Sequence, residues 1–299
     1  MGKNPSIYAD LGPNAANDVP MTPLSFIERA AQVYPDHPAM IHRGETRSWS
    51  EEYARCRRLA HALAKRGIGA QDTVSIFAHN CPAHVEVYFG VPMAGAVISA
   101  LNTRLDAAML AFMLEHSETK LLFTDRQLAP VMKDALSRMK TKPIVIDIDE
   151  SDGERLGEMD YEAFLKTVSP TTHGNGLPTN GRRSRSTILP APRATPKGVV
   201  YHHRGAYLNA IGNALVWNMP SHPVYLWTLP MFHASGWCFH WTVAAMSGVN
   251  VVLRKVDAAD IFALIERHGV THFTAAPIVL NLLVHAPDEV KKSFGRTSA

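Results

Sequence analysis

A chain of 299 residues, 46% apolar and 19% charged, is long enough to bury a sizeable core, in two compact units rather than one. A net charge of +3 is too mild to mark a nucleic-acid partner, so no nucleic acid is expected. Cys56, Cys81 and Cys238 stand too far apart for a disulfide framework or a metal-ligand set; buried free thiols in a reducing, cytoplasmic protein are expected, with no membrane segment.

In chain order, residues 1–20 are polar and rich in Pro, Gly and Asn, and read as an extended arm. Residues 21–148 read as a first α/β subdomain. It opens with a helix from Thr22 that stops before the turn at 34–38. A second helix, capped by Ser50 and led by Glu51 and Glu52, sets Tyr53, Cys56, Leu59, Ala60 and Leu63 on one face and ends at Gly67. The period then alternates: strand 73–78, a helix from Pro82 that Pro92 kinks or ends, strand 96–100, helix 106–116, strand 120–124, a helix to about Met139, and strand 143–147. Short apolar strands alternating with helices predict an α/β fold with parallel or mixed sheets covered by helices.

Residues 149–195 read as a linker followed by an aberrant loop segment. Residues 149–178 are polar except for the amphipathic piece 161–168, and form a linker or surface excursion. Asp147 and Asp149 look like paired carboxylates, but their place at a strand end predicts simple solvation. Residues 196–299 read as a second, truncated α/β subdomain: helix 204–217, strand 224–229, helix 236–246, strand 249–253, helix 257–268, strand 270–275 and a helix opened by Pro277.

Four stretches carry a resemblance when taken together: Thr195-Pro196-Lys197-Gly198-Val199-Val200 with His202-His203-Arg204; Leu229-Pro230-Met231-Phe232-His233-Ala234-Ser235-Gly236-Trp237; Thr271-His272-Phe273-Thr274-Ala275-Ala276-Pro277; and Leu101-Asn102-Thr103-Arg104-Leu105. Over about residues 20–175 and 195–295 the chain resembles the AMP-dependent synthetase and ligase family, the adenylate-forming acyl-CoA synthetases. It is most similar to bacterial short- and medium-chain acyl-CoA ligases and plant acyl-activating enzymes.

The resemblance implies a two-subdomain large N-terminal domain that lacks its C-terminal lid domain. The implied reaction adenylates a carboxylic acid with ATP and Mg2+, then forms a thioester with coenzyme A. The matching positions imply that Thr195, Lys197 and Gly198 contact ATP phosphates, and that Phe232, His233, Trp237 and Ala276 face the acyl and adenylate pocket. From spacing alone Lys197 is equally an exposed turn lysine, His233 a loop histidine, and the aromatics ordinary core. His202 and His203 have no metal-ligand partners in sequence; polar contacts around the loop are expected of them. No residue is assigned a catalytic role, no metal site is expected, and the substrate acid and the oligomeric state stay open.

One stretch departs from the family pattern. The family's phosphate loop has the form Tyr-Thr-Ser-Gly-Thr-Thr-Gly-x-Pro-Lys-Gly, in which small residues let backbone N–H groups wrap phosphate. Here Ile188-Leu189-Pro190-Ala191-Pro192-Arg193-Ala194 precede Thr195, with two prolines and no glycine or hydroxyl. The first two bases of the codons for Thr179 to Thr195, each read with the third base of the codon before, can spell Asp-Glu-Trp-Ala-Ala-Ile-Ser-Leu-Asn-Tyr-Thr-Ser-Gly-Thr-Thr-Gly-Asn. The sequence therefore predicts an out-of-frame translation over about 179–195, irregular and poorly packed. A catalytically inactive remnant or binding module of the family is the alternative function.

Overall fold

The computed structural model describes residues 18–168 and 198–291, together with Gly12, Asn14 and the backbone of Arg185–Ile188. The first element, α1 (Leu24–Val33), turns Phe26, Ile27 and Ala30 inward. It is followed by a hairpin that the sequence pattern missed, β1 (Pro38–His42) and β2 (Glu45–Ser48). Its two turn residues, Arg43 and Gly44, both have positive φ (50° and 86°), as a tight primed hairpin turn demands. Arginine is a poor advertisement for that conformation.

α2 (Trp49–Lys65) begins earlier than Ser50. Its cap is Ser48, whose hydroxyl accepts from the Glu51 amide while the Glu51 carboxylate accepts from the Ser48 amide at 2.7 Å, a reciprocal capping box. The alternating pattern then holds: β3 (Thr73–Phe77), α3 (Pro82–Met93), β4 (Val97–Ala100), α4 (Ala107–His116), β5 (Thr119–Asp125), α5 (Ala129–Arg138) and β6 (Ile144–Ile148). α3 starts on Pro82 and ends one residue after Pro92.

The run 149–160 is less of an excursion than its polarity suggests. The amides of Asp147 and Glu158 exchange hydrogen bonds with the carbonyls of Met159 and Val145 along the edge of β6. Asp147 is buried, and its carboxylate accepts from the Leu156 and Gly157 amides (3.2 and 3.0 Å), which corrects the expectation of a solvated group. A Cβ on Gly157 would lie 2.7 Å from the Val145 carbonyl oxygen, so no other residue fits this approach. Asp149 pairs with Arg126 and Arg155. α6 (Tyr161–Lys166) follows, capped by Asp160.

Most of 179–195 lies outside the described residues. Within it, β7 (Arg185–Ile188) forms a strand beside β4 and antiparallel to β8 (Val199–His202), so this part is regular where irregularity was expected. α7 (His203–Val216), β9 (Val224–Trp227), a 3-10 turn at His233–Cys238, α8 (Phe239–Ala245), β10 (Val249–Val252), α9 (Ala258–His268), β11 (His272–Phe273) and α10 (Pro277–Val284) complete the chain. α9 is bounded as its sequence implies, by the Asp257 cap and by Gly269 at φ 60°.

The strands form two sheets, ordered β6-β5-β3-β4-β7-β8 and β11-β9-β10-β1-β2. All pairings are parallel except β1 with β2 and β7 with β8. Neither sheet is built from residues 21–148 or 196–299 alone: β1 and β2 join the later strands, and β8 joins the earlier ones. One core joins side chains of both sheets with α1, α2, α3, α6 and α8. Separate apolar clusters lie under α4 and α5 on the first sheet and under α9 and α10 on the second. Cys56, Cys81 and Cys238 are buried free thiols, as expected.

Candidate functional site at the strand ends of the second sheet

β9 and β11 are parallel neighbours, with Tyr225 opposite His272 and Leu226 opposite Phe273. The segments that leave their C-terminal ends therefore emerge side by side, at the sheet edge where open α/β folds bind ligands. Thr228, just past β9, donates its hydroxyl to the carbonyl of Thr274, just past β11, and the Tyr225 and Thr274 hydroxyls also bond to each other. Burial pushes the Tyr225 phenol up from its ordinary value, so it stays a neutral partner.

The segment after β9 turns at once: the His233 amide donates to the Pro230 carbonyl at 3.0 Å. Phe232 points into the shared core and is buried, whereas His233 is exposed. Gly236, Trp237 and Cys238 then take three successive left-handed conformations, with φ of 57°, 52° and 65°. Gly236 has no alternative, because a Cβ there would lie 2.7 Å from the His240 ring and 2.9 Å from the Trp227 ring. For Trp237, a bulky residue, that backbone costs roughly 1–2 kcal/mol. The Asn213 side-chain amide holds it by donating to the Trp237 carbonyl at 2.7 Å, and the indole is left 55% exposed. An exposed tryptophan on strained backbone is an expensive arrangement for simple packing.

Ala276 is exposed at the start of α10. The bonds joining its loop to the His233 segment run through Thr274, two residues earlier, and not through Ala276 itself. Of the phosphate-loop residues, Gly198 is exposed immediately before β8; Thr195 and Lys197 lie outside the described residues. His202 caps α7 by accepting from the Gly205 amide at 3.0 Å. His203 reaches back to the Thr22 hydroxyl at 2.6 Å, and burial, then the neighbouring His202, lowers its pKa to about 4. Both histidines thus make polar contacts, to the start of α7 and to Thr22; most of the loop around which contacts were expected lies outside the described residues. Among the described residues no cluster of three or more His, Cys, Asp or Glu side chains would hold a metal ion.

The polar residue that ties this segment to the rest of the molecule went unnoticed in the sequence. Asn80, between β3 and α3, is buried. It donates to the carbonyls of Trp227 and Leu229 (3.1 and 2.9 Å) and accepts from the Met231 amide (2.8 Å). Eight residues on, the Tyr88 hydroxyl donates to the Met231 carbonyl at 3.0 Å. The Tyr88 ring stacks on His240 (3.7 Å between centroids, 12° between planes), which in turn stacks on Trp227 at 5.2 Å. Asn-Cys-Pro ahead of a helix looks like an ordinary turn, so nothing local in the sequence marked it.

Parallel strands covered by helices, with loops released side by side at one strand-end edge, define an α/β architecture. The family model for AMP-binding enzymes matches residues 27–180 and 193–297, and the chain belongs to that family. The match omits 181–192, inside the stretch whose reading frame is in question. Over 295 residues the chain is 43% identical to a peroxisomal acetate/butyrate–CoA ligase of Arabidopsis thaliana, covering 94% of this chain and 52% of the relative. It is 40% identical to an acetate–CoA ligase of Humulus lupulus, with the same coverage. The chain thus spans about half the length of these curated relatives.

Among solved structures, a fatty acyl CoA synthetase of Mycobacterium tuberculosis superposes with a TM-score of 0.77 at 22% identity, over 91% of this chain and 52% of that one. The inhibitor-bound N-terminal domain of FACL13 from the same organism gives 0.78 at 22% identity, over 91% and 67%. At that identity these likenesses establish the fold: the large N-terminal domain of adenylate-forming acyl-CoA synthetases.

Proposed function

We propose that the chain carries the acyl- and adenylate-facing part of an acid–thiol ligase, which adenylates a carboxylic acid with ATP and then forms its coenzyme A thioester. The observation that carries the reading is the convergence of two motif-bearing loops, after β9 and β11, at one strand-end edge with His233 exposed. His233 would offer a hydrogen bond at the adenylate, Trp237 an apolar wall for the acyl group, and Ala276 room for it; Phe232, turned into the core, would back the loop rather than face the ligand. Lys197 and Thr195 would meet the phosphates ahead of Gly198. Relatives named for acetate and butyrate favour a short aliphatic acid.

The described residues supply no carboxylate cluster for Mg2+, and the residues before Thr195 do not fit a phosphate cradle, because prolines replace N–H donors. The same departure favours a second reading, an inactive remnant that retains binding. Among the described residues no helix is long and apolar enough to cross a membrane. A cytoplasmic location is the proposal, although three of the similar plant proteins are named peroxisomal.

Acid-dependent exchange of labelled pyrophosphate into ATP tests both readings. Exchange by the purified chain overturns the remnant reading. Exchange only from a version with the shifted-frame sequence restored over 179–195 and the relatives' full length supports it. No exchange from either version removes the ligase proposal. Resequencing that finds no compensating pair of base changes removes the frame explanation.

A further inference from the structure

We infer that Asn80 and Tyr88 are positioning residues for the His233–Trp237 segment, acting from the first sheet on a loop of the second. The inference deepens the proposed function, and only its ligand test rests on that reading.

The argument starts from what a loop on strained backbone needs. Three successive left-handed residues, one of them a tryptophan, persist only where the flanking chain is fixed on both sides. On the N-terminal side, Asn80 and Tyr88 supply four hydrogen bonds to backbone atoms of Trp227, Leu229 and Met231. On the C-terminal side, the Trp241 indole N–H donates to the Tyr88 carbonyl at 3.2 Å, and His240 lies flat on the Tyr88 ring. Both ends of the arch are thus fixed to one short stretch, residues 80–88, and its exposed middle carries His233 and Trp237.

Asn80 suits the task chemically. A buried primary amide offers two donors and an acceptor in one plane, which match two carbonyls and an amide on a chain that has just left a strand. Alanine would leave three buried backbone groups unpaired; aspartate keeps the acceptor and loses both donors. The clamp itself is rigid, since α3 is buried along its whole length. A shift of β3 or α3 is therefore transmitted to His233 as a change of position rather than absorbed as slack.

Amide hydrogen exchange on the whole chain tests the clamp directly, because the Met231 N–H donates to Asn80. With Asn80→Ala, exchange across 228–238 is expected to accelerate by about tenfold or more, from the loss of buried hydrogen bonds, while β5 and α4 keep their rates. Asn80→Asp is expected to fall between alanine and the wild type. Tyr88→Phe keeps the ring stack and folds if alanine does not; it is expected to accelerate the same segment by a smaller factor. Unchanged exchange in 228–238, or acceleration spread evenly over the chain, overturns the inference.

Titration of the folded variants with a non-hydrolysable butyryl-adenylate analogue reads them at the pocket, with about tenfold weaker binding expected for each; Tm falls most for Asn80→Ala, which loses three buried hydrogen bonds, and least for Tyr88→Phe, which loses one. If the wild-type chain binds no analogue, the functional reading fails and the exchange result alone decides the clamp. Full-strength binding by the variants despite a loosened segment shows that the clamp does not position the pocket, and overturns the inference.

Discussion

Two helices of this chain open on proline and consist mostly of apolar residues, yet they end in opposite surroundings. α3 is buried at every position, although it carries His84 and Glu86. α10 has no charged residue at all, yet it buries Val279 and leaves Ile278, Leu280, Leu282 and Val284 exposed. Hydropathy ranks them the wrong way round. α3 runs against α2 and meets the segment after β9 through Tyr88, so every face meets protein, and the Glu86 charge is kept there by its partners. The Glu86 carboxylate accepts from Arg47, Arg55 and the Tyr161 hydroxyl, each at 2.8 Å. α10 lies on the outer side of the second sheet, where one face packs and the other meets water. The site segment stands between these extremes: it is anchored to α3 and exposed at its tip.

The comparison breaks most visibly at α3. Phe89→Ala is expected to cost about 3–5 kcal/mol in denaturant unfolding, through lost burial and the cavity left behind. Glu86→Gln leaves the partly buried Arg47 and Arg55 guanidiniums short of a carboxylate and is expected to cost about 3 kcal/mol, at the low end for such a loss because both guanidiniums reach water. Gly90→Ala puts a methyl 2.5–2.9 Å from Leu59 side-chain atoms and should cost about 1–3 kcal/mol, recovered in part by Leu59→Ala.

The buried polar groups also set a pH dependence. Burial, then the charge of Glu86, raises the Glu52 pKa from 4.5 to about 8, so Glu52 is protonated in the folded chain at neutral pH. The unfolded chain releases that proton above about 4.5, so stability falls as pH rises from about 4.5 to about 8. Burial lowers the His84 pKa from 6.5 to about 4, so stability also falls as pH drops through that interval. The two slopes oppose each other between about 4.5 and 6.5. Thermal melts should therefore show declining Tm on both sides of that window, and Glu52→Gln should flatten the alkaline side alone.

The smallest expected effect lies at α10. Leu280→Gln and Ile278→Ser should each shift stability by less than about 0.5 kcal/mol while lowering self-association at high concentration, measured by light scattering. A loss as large as that of Phe89→Ala would mean that α10 is covered in solution, and the contrast with α3 would disappear.

Much of the fold was legible locally. Asp106, Asp160 and Asp257 cap helices that the apolar period had already located. The segments bearing His233 and Ala276 were placed at strand ends because the strands before them are short and apolar. The hairpin β1–β2 escaped because its left-handed turn begins on Arg43 rather than on Asn or Asp. Asp147 escaped because a strand-end carboxylate facing its own chain nine and ten residues later looks the same in sequence as one facing water. The motif marks Trp237, but its left-handed backbone is held by the side-chain amide of Asn213, 24 residues earlier.

By itself, then, the sequence determined the order of the helices and of most strands, most of their ends, and the loops that carry the motif residues. These depend on turns, caps and apolar periods within a few residues of one another. Only the tertiary structure decided which strands share a sheet, which apolar helix is enclosed, and what holds the His233 segment. Parallel strands take partners from anywhere along the chain, and the groups that Asn80 binds lie 147 to 151 residues further on. A side chain whose partners are that distant leaves no periodic trace near itself.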